Sequence, residues 1–107
     1  MRLDLSDAEI VDGKLNGANM EGINLSDAFF KNTKMVGCNL RGADLRRTQF
    51  DYCTLSESDL TGADLTGAQL ESPFQGGSTK LGAIVYDEST IWPEGFTPPP
   101  SANATQS

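Results

Sequence analysis

Large apolar residues recur at every fifth position along the first two thirds of the chain: Leu5, Ile10, Leu15, Met20, Leu25, Phe30, Met35, Leu40, Leu45, Phe50, Leu55, Leu60, Leu65 and Leu70. Two positions before each sits a small residue in most pentads, among them Ala8, Gly13, Ala18, Ala28, Thr33, Cys38, Ala43, Thr48, Cys53, Ser58, Ala63 and Ala68; Leu3 and Ile23 are the exceptions. The residue between the two is usually polar, as at Asp4, Asn19, Asn24, Asn39, Asp44, Asp59 and Asp64. A helical stripe needs a period near 3.6, and a period of five scatters residues around a helix axis. Small–polar–large is instead an in–out–in alternation, a very short strand. The two remaining residues of each pentad must turn the chain. Their second position is glycine at 17, 22, 37, 42, 62 and 67, and Asp7, Asp12, Asp27 and Asn32 share the slot. These residue types tolerate the positive φ that a type II turn demands there. Each pentad therefore predicts one side and one corner of an all-β solenoid.

Two pentads, Ala43-Asp44-Leu45-Arg46-Arg47 and Ala63-Asp64-Leu65-Thr66-Gly67, resemble the A-(D/N)-L-x-x consensus of the pentapeptide-repeat family, and the resemblance extends over residues 3–72. It implies a right-handed quadrilateral β-helix in which four pentads make one coil. The fourteen pentads then give about three and a half coils, a stack ~17 Å tall at the spacing of paired strands. A coil of twenty residues places Phe50 on Phe30 and stacks Leu5, Leu25, Leu45 and Leu65 into a second ladder, and these residues are the expected structural core.

The rhythm is lost after Leu70, where Pro73, Gly76 and Gly77 mark a break. Residues 79–96 are again apolar and aromatic. They are expected to cap the open C-terminal coil and its strand edge, with Tyr86, Ile91, Trp92 and Phe96 as the covering side chains. The stretch from Tyr86 to Phe96 resembles the closing segment of many cyanobacterial pentapeptide-repeat proteins. The expected organisation is a β-helix over 1–72, a cap over 73–96 and a disordered tail over 97–107, which is rich in proline, serine and alanine. At the other end Leu3, Leu5 and Ile10 would present a bare coil, which end-to-end pairing of two copies would cover.

Charge narrows the function. Asp and Glu outnumber Lys and Arg by 15 to 8, histidine is absent, and the formal net charge is −7. That balance disfavours direct contact with nucleic acid, whose phosphates need basic side chains; it suits solubility and would allow attraction to a basic partner. The N-terminus reads without a signal peptide, and no apolar run reaches transmembrane length, so a cytoplasmic protein without membrane insertion is expected. Cys38 and Cys53 fall at inward small positions on adjacent sides of neighbouring coils. Their expected Cα separation exceeds the ~7 Å that a disulfide spans, and two cysteines without histidine do not make a zinc site. The column Asp4, Asn24, Asp44 and Asp64 is assigned a structural role. Among Arg41, Arg46 and Arg47, Arg47 should pair with Asp27, and Lys31 should lie beside Asp51. No nucleophile–base pair or phosphate-cradling loop is visible, so no catalytic residue, cofactor or metal is assigned.

Val11, Phe29 and Tyr52 are apolar residues at outward or corner positions on the side that carries Phe30 and Phe50, and they form the candidate interaction surface. The function expected is a non-enzymatic protein-interaction module, a small scaffold or adaptor whose partner the sequence does not name. The family resemblance supplies an alternative, an acidic rod that mimics duplex DNA and modulates a DNA-binding protein such as gyrase. At three and a half coils the rod would match only about five base pairs of ~3.4 Å each.

Overall fold

The computed structural model describes residues 3–70 and 79–102. The chain winds as a right-handed, four-sided β-helix. One side carries a parallel sheet of three short strands, β1 (Glu9–Val11), β2 (Phe29–Lys31) and β3 (Gln49–Asp51), in the order β1-β2-β3. Ile10 pairs with Phe30 and Phe30 with Phe50, so one coil is twenty residues. The other sides are built from single-residue parallel bridges at the same spacing: Asp4–Asn24–Asp44–Asp64, Lys14–Lys34–Thr54 and Asn19–Asn39–Asp59.

The corners explain the polar residues of the repeat. At most corners the backbone closes a turn, as where Ala8 N donates to Leu5 O at 3.1 Å. The second turn residue then has positive φ at Asp7, Asp12, Gly17, Gly22, Asp27, Asn32, Gly37, Gly42, Arg47, Tyr52, Glu57, Gly62 and Gly67. The Asp or Asn ahead of the corner folds its side chain back onto the turn. Its oxygen accepts the N–H two residues on, from Ser6 to Asp4 (2.9 Å), Ser26 to Asn24 (3.0 Å), Thr61 to Asp59 (3.0 Å) and Thr66 to Asp64 (3.0 Å). This Asx closure is the physical reason for the structural role assigned to the column.

The core is a set of ladders running along the axis. Phe30 and Phe50 stack with ring centroids 4.9 Å apart and planes 11° from parallel. Leu25, Leu45 and Leu65 are fully buried beside them. Leu5 departs from the expected core: it remains 37% exposed, because the first coil has a neighbour on one side only. Polar side chains in the small inward slot bond to carbonyls between coils, as Ser58 Oγ does to Met35 O at 2.6 Å. Among the described residues, no buried side-chain oxygen or nitrogen lacks a partner.

The segment expected to lie across the last coil instead continues the solenoid. Asp59 bridges to Lys80, Asp64 to Val85 and Gln69 to Ile91, twenty-one, twenty-one and twenty-two residues on. Lys80 N, Val85 N and Ile91 N donate to Ser58 O, Ala63 O and Ala68 O at 2.9 Å each. Three in–out–in triplets are thereby defined: Thr79-Lys80-Leu81, Ile84-Val85-Tyr86 and Thr90-Ile91-Trp92. Ile91 is corrected accordingly. It is the middle, outward residue of its triplet and stays 44% exposed, whereas Ile84 is fully buried. Tyr86 and Trp92 occupy the large inward slots and end the ladders, and Phe96 packs on Trp92 with centroids 5.5 Å apart.

Residues 97–102, expected to be disordered, return across this end. Ala102 N donates to Ile84 O at 2.7 Å, Tyr86 N to Ser101 Oγ at 3.0 Å, and the Tyr86 hydroxyl to Pro99 O. Pairing to the coil beneath gives the segment the backbone partners that composition alone does not reveal. The expected break at Pro73, Gly76 and Gly77, and residues 103–107, lie outside the described residues.

Candidate functional site

The side built from β1, β2 and β3 carries Val11, Phe29 and Tyr52 but interleaves them with polar columns. Val11 is in register with Lys31 and Asp51, and Phe29 lies between Glu9 and Gln49. Tyr52 shares its corner column with Asp12 and Asn32, where Asn32 Nδ2 donates to Asp12 Oδ1 at 2.7 Å. Tyr52 is 76% exposed and Val11 49%; Phe29, on the central strand, is half-buried. The three share one side without fusing into one apolar patch. Tyr52 also stands at φ 55°, in the left-handed region that bulky side chains rarely adopt.

The three described arginines are engaged in pairs. Arg47 grips Asp27 one coil below through two bonds of 2.7 and 2.9 Å, as the sequence suggested. Arg46 folds onto Asp44 through two bonds of 2.8 Å, and Arg41 reaches Asp59 at 3.2 Å. The Arg47 guanidinium holds the Asp27 carboxyl below its usual range. The Thr61 hydroxyl and N–H, with help from Arg41, pull Asp59 down to about 2. Cys38 and Cys53 are buried free thiols whose titration burial pushes upward, and Cys38 Sγ donates to Leu15 O at 2.9 Å. Among the described residues no cluster of Cys, Asp or Glu forms a metal-binding group, and no described helix is long and apolar enough to cross a membrane.

A second feature lies at the C-terminal end. A cleft of about 650 Å³ opens between the 86–92 coil and the returning segment, lined by Tyr86, Trp92, Pro98 and Pro100 and by the exposed carboxylates of Asp87 and Glu88. Tyr86 meets Trp92 edge to face, with centroids 5.2 Å apart and planes at 83°. The Ser89 hydroxyl and N–H hold Asp87 below the ordinary carboxylate range. Tyr86 and Trp92 were expected only as cap. The cleft needs its second wall, and 97–102 read as unstructured; the signal that was present is the run Pro98-Pro99-Pro100, which favours a stiff extended backbone.

With coil, corner and ladder all following the five-residue period, the fold defines a class. The family model described as pentapeptide repeats (8 copies) matches residues 4–42 and 38–72, and the chain belongs to the pentapeptide-repeat family. Among solved structures, it is similar to alr5209, a pentapeptide repeat protein from Nostoc, at 33% identity over 90% of this chain and 78% of that one, with a TM-score of 0.64. It is also similar to AT2G44920, a pentapeptide repeat protein from the Arabidopsis thaliana thylakoid lumen, at 25% identity over 83% of this chain and 67% of that one, with a TM-score of 0.55. Comparison with curated protein sequences returns no significant match.

Proposed function

We propose that this chain is a non-enzymatic protein-interaction module that engages another protein through the side carrying β1, β2 and β3, with Tyr52 as the anchor and Val11 and Phe29 beside it. The observation that carries the reading is the combination at Tyr52 of a left-handed backbone and 76% exposure. A non-glycine residue in that conformation costs roughly 1–2 kcal/mol. Glycine or Asn/Asp fills the slot at most corners. A large exposed aromatic at a corner where it strains the backbone fits a contact anchor.

Replacing Tyr52 by Gly should raise stability by about 1 kcal/mol while abolishing capture of the partner. Phe29→Asn, which restores the usual polar residue of the triplet, should weaken capture. The test is a pull-down from a lysate of the native organism with wild type and Tyr52→Gly, each first checked by thermal unfolding. A partner held by wild type and lost by the more stable variant supports the reading. A partner captured equally by both, or a variant less stable than wild type, overturns it.

A second contact is favoured by the N-terminal coil, where Leu3 is 62% exposed and Leu5 lies at the rim: two copies pairing end to end would cover it. The acidic DNA-mimic alternative has less support, since ion pairs from Arg46 to Asp44 and Arg47 to Asp27 interrupt the acidic columns. The reading places the protein in the cytoplasm. The lumenal origin of the Arabidopsis relative is the competing location, and cell fractionation distinguishes them.

A further inference from the structure

We propose that the cleft at the C-terminal end binds an arginine side chain presented by a basic peptide segment. The proposal concerns a different surface from the β1–β3 side and does not rest on it. Its lining includes two aromatic residues, Tyr86 and Trp92, and two prolines, Pro98 and Pro100; its charged lining residues are Glu88 and Asp87, whose Oδ1 already accepts from Ser89 N and Oγ. Each ligand class meets this lining differently. An anionic ligand faces like charge. A purely apolar ligand desolvates the carboxylates without pairing them, which is costly. A quaternary ammonium suits the rings but offers the carboxylates no N–H. A lysine ammonium is a compact, strongly hydrated charge with no planar face to lay on a ring. A guanidinium satisfies both parts: its face stacks on an aromatic ring and its edge donates to carboxylates.

The cleft is built before any ligand arrives. Its second wall is tied to the first by the bonds from Tyr86 O–H to Pro99 O, from Tyr86 N to Ser101 Oγ and from Ala102 N to Ile84 O. Preorganisation of this kind lowers the cost of ordering on binding. About 650 Å³ also exceeds the needs of one side chain, leaving room for neighbouring peptide backbone. The net charge of −7 draws a basic segment towards the surface.

Trp92 is the only tryptophan in the chain, so its fluorescence and its indole N–H resonance report on this wall alone. The full chain would be titrated with the blocked tripeptide acetyl-Gly-Arg-Gly-amide, with its lysine and citrulline counterparts, and with tetramethylammonium chloride. The expected result is a saturable Trp92 response to the arginine peptide, with Kd of millimolar order or below. Citrulline keeps the shape and loses the charge; it should bind at least about fivefold more weakly, as should the arginine peptide to Glu88→Gln. Glu88 is exposed, so that variant leaves the fold intact. The proposal is overturned by the absence of a saturable response, by equal binding of citrulline, by insensitivity to Glu88→Gln, or by tighter binding of tetramethylammonium, which would mark a quaternary-ammonium site instead. Loss of this response and loss of lysate capture by Tyr52→Gly are separate readouts, so either reading can fail alone.

Discussion

Asp59 shows how a repeat encodes its corners. Its carboxylate accepts both the N–H and the hydroxyl of Thr61 and faces Arg41, and these contacts lower its pKa to about 2. A carboxyl whose folded pKa lies below its unfolded value contributes stability that is present above pH ~4 and lost as pH falls towards 2. Asn19 and Asn39 occupy the same column and make the same corner bond without titrating. Asp59→Asn should therefore fold normally at pH 7, with only a small loss from the exposed Arg41 pair, and show a shallower decline in acid. Thermal unfolding at stepped pH from 7 to 2 checks this; an unchanged acid limb would assign the decline to other carboxyls. At this scale the sequence was legible where residue type and conformation agree, at the glycines, aspartates and asparagine of the turn slot. It was silent at Arg47, Tyr52 and Glu57, which adopt positive φ although their side chains disfavour it. There the coils above and below impose the corner, and local preference yields to register.

The element is one side and one corner, and its legibility failed at a single kind of event. Up to Leu70 every element has five residues, so the period identifies the fold without reference to any contact. Beyond it, bridges from Asp59, Asp64 and Gln69 show the same elements continuing with the register slipped by one residue and then by two. A strict period hides Thr79-Lys80-Leu81 and the two triplets after it, although each keeps the in–out–in pattern. The extra residues were visible only as a loss of rhythm, and the cleft followed them out of view. Reading Trp92 as the last inward residue of a ladder gives it a definite energetic weight. Trp92→Ala should cost about 2–4 kcal/mol, the lower part of the range for large core truncations because the ring is half-buried. Denaturant unfolding followed by circular dichroism measures it. A loss below about 0.5 kcal/mol would show that the final triplet adds nothing to the stack.

For the whole molecule the decisive contrast is between the two ends. The C-terminal end is closed by Tyr86, Trp92, Phe96 and the returning segment, whereas the described N-terminal coil leaves Leu3 and Leu5 at the surface and Ile10, Leu15 and Met20 only partly buried. If two copies pair through that coil, light scattering at high concentration should give twice the chain mass, and Leu5→Asp should return a monomer because two like charges would meet across the joint. A monomeric wild type would remove the pairing. The same contrast governs how the molecule would yield to force. In a stack where each coil touches only its neighbours, the winding with one neighbour lets go first. Drawn out by its two termini, the chain should unspool from the first coil towards the aromatic end. Each twenty-residue winding would pay out about 70 Å of slack, and the capped triplets that end in Tyr86 and Trp92 would be the last to come away.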